Sequence, residues 1–239
     1  MADFEFPVRQ TGAVARIDLG RPDEGNALTR AMMTRLAATI REVMTDTVAL
    51  VVIEARGNQF CRGRDGRGET AAGLNPWQVR TQMMGPVLAV YEAIAACPVP
   101  VVALVQGDAI GFGAALAGAC DITIAASTAR FSFPEIRHDI APTLAMAATH
   151  RKLPAKVLAW LIYSAEELDA MQAAAVGLVS KVLPQAEFAA QAERYLGEIG
   201  GRPALVLRTI KHFQQRAADA PAMASDYAGA LLALVRGAV

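Results

Sequence analysis

Short, continuously apolar runs alternate along this chain with longer stretches in which apolar residues recur every three or four positions. Ala13–Leu19 and Ala49–Ala55 are β-rich. Between them Met32, Leu36, Ile40 and Val43 fall on one face of a helix that Thr29 can cap. Asn75 and Pro76 open a second helix through Trp77–Ala95, with a kink expected at Pro86. Val99–Val105 is apolar enough to be a strand buried on both faces. A third unit runs from a turn at Gly107–Gly113 through a helix of small residues to Asp121–Ala125. This β-α-β order predicts an α/β fold, a parallel sheet with helices on its faces.

The pattern changes from Pro154 onward. Helical spacing returns at Ala155–Ile162, at Ser164–Ala175, where Ser164 and Glu167 read as a capping box and Gly177 as a stop, and at Glu187–Ile199. Pro203–Gln215 and Pro221–Val235 are also helical in pattern. Residues 1–184 are therefore read as the core that carries the site, and residues 185–239 as a C-terminal helical region.

Composition narrows the function classes. The chain has 239 residues and is 54% hydrophobic, enough for a large core. Lys+Arg and Asp+Glu are both 23, so no overall basic field gathers nucleic acid or a membrane surface, and any anion site is local. Cys61, Cys97 and Cys120 have no metal-ligand spacing. Their odd number, without a leading apolar segment, suits a reducing, cytoplasmic setting. No apolar run is long enough to read as a membrane span.

Three polar, glycine-bearing stretches follow apolar strands, where open α/β sheets place their ligands. They are Phe60-Cys61-Arg62-Gly63-Arg64-Asp65-Gly66, Gln106-Gly107-Asp108-Ala109-Ile110-Gly111-Phe112-Gly113, and Phe133-Pro134-Glu135-Ile136 with the residues to Pro142. The second runs G-x-x-x-G-x-G, which is not the dinucleotide-binding G-x-G-x-x-G. Together they resemble the crotonase superfamily, the enoyl-CoA hydratase/isomerase family, which carries F-C-x-G-x-D, then N-G-x-x-x-G-G-G, then P-E-I. The resemblance is ordered and long. It begins at Arg21-Pro22 with Asn26-Ala27-Leu28 and continues through Gly177-Leu178-Val179 and Leu183-Pro184 to Pro203-Ala204 and Lys211.

That resemblance implies a spiral of ββα turns, an acyl-CoA substrate and a homotrimer or dimer of trimers. No cofactor is implied beyond the CoA of the substrate itself. It implies that the backbone N–H groups of Arg64 and Phe112 hold the thioester oxygen as charge develops on it, and that Glu135 is the acid/base. The lesser alternative is that Gly111 and Gly113 merely allow a tight strand-to-helix turn. It also implies substrate contacts at Ala27, Arg62, Asp65, Gly66, Gly111 and Lys211. The arginine fork of Arg62, Arg64 or Arg67 suits phosphate, although a solvated loop would carry the same residues. Lys211 reads as well as a plain surface lysine.

The departures from the family pattern are informative. Hydratases of this pattern place a second glutamate where this chain has Ala115, so one-base double-bond migration through Glu135 is favoured over two-glutamate hydration. Thr143 stands where the family shows reaction-specific residues and Asp139 where it commonly has glycine, and either is a candidate for an additional functional group. His138 has no partner for a metal set, and Cys61 no base beside it, so both read as structural. A non-catalytic CoA-thioester-binding protein and another crotonase reaction remain alternatives.

Overall fold

The computed structural model describes residues 4–67 and 69–237. Strands β1 (Val8–Thr11) and β2 (Val14–Asp18) form a hairpin that leads into α1 (Arg30–Glu42). The Thr29 hydroxyl accepts from the Met32 N–H at 3.3 Å, which is the expected cap, and Met32, Leu36 and Ile40 are buried on one face. Each such fully buried Leu or Ile contributes about 1.5–3 kcal/mol.

After α1 the strands come in pairs: β3 (Leu50–Glu54) and β4 (Gln59–Cys61), β5 (Val101–Val105) and β6 (Asp108–Ile110), β7 (Ile122–Ala126) and β8 (Arg130–Ser132). The first of each pair joins a six-stranded sheet of order β1-β2-β3-β5-β7-β10, and the second a four-stranded sheet of order β4-β6-β8-β9, with β9 (Leu168–Asp169) and β10 (Lys181–Leu183) completing them. Among the described residues only β1 and β9 run antiparallel to their neighbours. This is the crotonase-type spiral of ββα turns.

Helix α2 (Pro76–Gln78) opens at Asn75, whose side chain and that of Gln78 make a reciprocal cap. A π-helical turn, Val79–Met84, then passes into α3 (Gly85–Ala96). The irregularity expected at Pro86 thus falls in the turn before it, where the proline supplies no N–H. Helix α4 (Phe112–Ala119) follows β6. The chain then forms α5 (Thr143–Thr149), α6 (Ala155–Ser164), α7 (Ala170–Ala175), α8 (Phe188–Gly200), α9 (Ala204–Asp219) and α10 (Ala224–Gly237). Among the described residues no helix is long and apolar enough to cross a membrane.

Two expectations are corrected here. Ser164 ends α6 instead of opening a helix, and the capping box is that of Asp169 and Gln172 at the start of α7. The boundary at residue 184 also cuts through the core. Alternate residues of β3 and β5 point to opposite faces of the large sheet; Val51, Ile53, Val101 and Ala103 pack under α1 and α3, whereas Leu50, Val52, Val102 and Leu104 are covered by Phe188, Ala192 and Leu196 of α8. Helix α8 therefore belongs to the sheet. Helix α9 rests on the end of α3, and α10 packs on α9 with its Leu232 and Leu234 exposed.

Candidate active site

The site is built where the loops after β4 and β6 touch. Asn26, fully buried with φ +55°, donates from its side chain to Arg56 O at 2.9 Å and Gln59 O at 2.7 Å, while its side-chain oxygen accepts from Arg21 N at 2.9 Å. This holds Ala27 and Leu28 beside the loop after β4. Leu28 N donates to Gly63 O at 3.1 Å, and Asp65 N donates to Leu28 O at 2.8 Å. In such a parallel bridge the intervening Arg64 N–H faces away from Leu28. It donates to no other described residue.

The two loops are brought close by glycines. A β-carbon on Gly113 would run into Cys61 O, and one on Gly107 into Asn58 O. A β-carbon on Gly63 would stand 3.0 Å from Ile110 O and 3.7 Å from Phe112 N. Gly111, at φ +55° and ψ −116°, turns the chain sharply from β6 into α4. Phe112 N is then the first N–H of that helix, on its positive end, and it too donates to no described residue.

Glu135 lies on the 3-10 turn Pro134–His138 after β8. Its Oε1 is 3.1 Å from where a β-carbon on Gly111 would sit, and its Oε2 is buried without a partner among the described residues. Burial pushes its carboxyl pKa up, against its own backbone N–H and the nearby His138. Phe131 and Phe133, both buried, precede it. Ala115, one turn along α4 from Phe112, is fully buried and offers only a methyl.

Ala27, Arg62, Arg64, Asp65 and Gly66 share one open cleft of about 790 Å³, with Asp23 and Glu24 on its rim. Arg62 makes no ion pair among the described residues. Arg67 is bound differently. It holds Asp65 through contacts of 2.9 and 2.8 Å, and this pairing keeps the Asp65 carboxyl well below the usual carboxylate range.

Lys211 does not fit the substrate contact expected of it. It is 2% exposed, and its ammonium donates to Ile94 O at 2.9 Å, Val99 O at 3.0 Å and Asp121 Oδ2 at 2.8 Å. All three of its protons are used inside the chain. Asp139 is exposed at φ +57°, a conformation aspartate tolerates, and ends the 3-10 turn with its N–H on Ile136 O. Thr143 is exposed at the start of α5. Cys61 is a packed thiol, pushed up to about 12 by burial, whose Sγ accepts from Gly63 N at 3.4 Å.

Two residues carry weight that sequence reasoning did not assign. Asn26 is legible in the sequence only as part of the Asn26-Ala27-Leu28 motif, and an asparagine directly before Ala27-Leu28 is its one signal. Tyr91 of α3 stacks on Phe112, ring centroids 6.0 Å apart at 22°, and is 8% exposed with its hydroxyl unpartnered among the described residues. In the sequence it reads as one more apolar-face aromatic.

A spiral fold with a part-buried carboxylate beside the Gly111–Phe112 turn, and free backbone N–H groups at Arg64 and Phe112, is an arrangement able to carry a proton and to stabilise developing negative charge. The model of the enoyl-CoA hydratase/isomerase family matches residues 9–230, and the chain belongs to that family. It is 35% identical over 180 residues to a probable enoyl-CoA hydratase of Rhodobacter capsulatus, covering 73% of this chain and 67% of that protein. It is 30% identical over 192 residues to the mitochondrial enoyl-CoA hydratase domain-containing protein 3 of Rattus norvegicus, covering 80% of this chain but only 63% of that protein's length. The crystal structure of an enoyl-CoA hydratase from Mycobacterium smegmatis superposes with a TM-score of 0.89 at 25% identity, covering 96% of this chain and 90% of that one.

Proposed function

We propose that this protein moves the double bond of an enoyl-CoA thioester, with Glu135 as its single proton carrier. Glu135 takes a proton from C2 of a 3-enoyl-CoA. The electron pair spreads to the thioester oxygen, which the N–H groups of Arg64 and Phe112 hold as an enolate, and Glu135 returns the proton at C4. The observation that carries this reading is a part-buried carboxylate of raised pKa standing alone beside the Gly111–Phe112 turn, with a methyl at Ala115. Removal of one oxyanion donor of this kind typically costs about 3–4 kcal/mol of transition-state stabilisation, so the paired N–H groups are a large part of the chemistry.

The cleft lined by Ala27, Arg62 and Gly66 suits the nucleotide end of CoA, with the exposed Arg62 fork toward phosphate. Asp65 shapes this loop through Arg67. No cofactor enters the reaction.

The test is turnover of 3-enoyl-CoA and 2-enoyl-CoA by the native protein and by Glu135→Gln. The substitution keeps the shape and removes the titrating group, so it lowers turnover roughly 10²-fold or more while CoA binding persists. Unchanged turnover would remove Glu135 from the role. Binding of acyl-CoA with turnover of neither substrate would instead mark a non-catalytic CoA-thioester-binding protein. Hydration is a second reading, favoured by one observation, the unpartnered hydroxyl of Tyr91.

A further inference from the structure

Tyr91 Oη and Glu135 Oε2 are both buried, and neither makes a hydrogen bond among the described residues. Buried polar atoms are nearly always bonded, so a pair left open marks a place where a ligand atom completes the bonding. Both groups are fixed to the same turn from different elements. Glu135 Oε1 reaches to 3.1 Å from the β-carbon position of Gly111, and the Tyr91 ring lies on the ring of the next residue, Phe112, at 6.0 Å.

The two atoms are complementary in chemistry. Burial raises the pKa of the Tyr91 hydroxyl and the charge of Glu135 raises it further, so Tyr91 remains a neutral phenol that can donate. The Glu135 carboxylate accepts. An oxygen that carries a proton and a lone pair, a water or an alcohol, meets both needs at once.

Resting on the reading of Glu135 given above, we propose that Tyr91 and Glu135 form a hydroxyl-binding subsite for the oxygen at C3 of the acyl chain. The occupant is water against a 2-enoyl-CoA in one direction and the hydroxyl of a 3-hydroxyacyl-CoA in the other. In the forward step the water O–H bond breaks toward Glu135 and the C3–O bond forms, while the C2=C3 pair moves into the thioester as an enolate. Glu135 then delivers the proton to C2. One water is added, nothing is oxidised or reduced, and Tyr91 keeps its proton throughout. Tyr91 positions the oxygen on a site whose Ala115 supplies no polar group.

Tyr91→Phe removes the hydroxyl and keeps the ring on Phe112. Calorimetric affinities for 3-hydroxybutyryl-CoA and butyryl-CoA, and rates of crotonyl-CoA hydration and 3-enoyl-CoA isomerisation, are compared in the native protein, Tyr91→Phe and Glu135→Gln. The native protein should prefer the 3-hydroxy ligand. In Tyr91→Phe that preference should fall by about tenfold, the loss of one hydrogen bond, and the ratio of hydration to isomerisation should fall with it. A native protein without the preference, or a preference or rate ratio unmoved by Tyr91→Phe, overturns the subsite. If Tyr91→Phe changes neither while Glu135→Gln abolishes isomerisation, the subsite fails and the one-base reading stands. If Glu135→Gln isomerises as well as the native protein, the one-base reading itself fails.

Discussion

The Glu135 carboxylate lies against the open face of Gly111, its Oε1 3.1 Å from the point a β-carbon there would occupy. Gly111 therefore does two things: it takes a positive φ that other residues adopt only with strain, and it leaves room for the carboxylate. Gly111→Ala should cost about 1–3 kcal/mol in backbone strain, read as a lowered Tm. It should also displace Glu135, so that turnover falls by more than the stability loss explains. A variant with native Tm and native turnover would sink the reading of this turn.

Glu135 also predicts a pH dependence of stability. Its folded pKa lies above the ordinary 4.5, so the folded state binds the proton more tightly than the unfolded state. Stability is then lost as pH rises from about 4.5 through the folded pKa, and the loss stays constant above it. Glu135→Gln should be more stable than the native protein at neutral pH, with the difference vanishing in acid. Chemical denaturation at several pH values checks this, and parallel curves for both proteins would contradict it.

Lys211 predicts the opposite pairing of effects. It is enclosed by Asp121 and two carbonyls, so Lys211→Met leaves Asp121 without its cation and should destabilise by about 3–5 kcal/mol. CoA affinity of the folded protein should not change. A variant of native stability that binds CoA weakly would restore the lysine to the ligand.

The exposed apolar residues of the last two helices predict self-association. Leu205 and Ile210 of α9 are 46% and 50% exposed, and Leu234 of α10 is 68% exposed. Light scattering at micromolar concentration should report a trimer or its dimer, and Leu234→Glu should shift it toward monomer. A monomeric native protein would refute this.

Legibility in the sequence followed length and burial. Val101–Val105 is buried at every residue, so its apolar run announced a central strand, and Thr29 announced α1. The three-residue strands β4, β6 and β8 were invisible as strands because so short a segment carries no period. They are legible only through the motifs to which Phe60-Cys61, Asp108–Ile110 and Phe131 belong. At the site, the glycine turns and Glu135 were readable from residue type and order. The burial of Lys211 has a signal in the sequence, its place four residues after Leu207 on the buried face of α9. Tyr91 had none, since an unsatisfied hydroxyl is a property of space and not of spacing.

The alternation of strands between two sheets has a consequence for how function is gained during folding. Arg64, Phe112 and Glu135 belong to three successive windings of the spiral, each laid against the one before it through parallel pairings distant in sequence. No single winding holds two of them. Such long-range pairings form slowly, and an early species with most of its helices would not yet bring these three groups together. Recovery of activity after denaturation should lag the return of helical signal and coincide with the last winding to close.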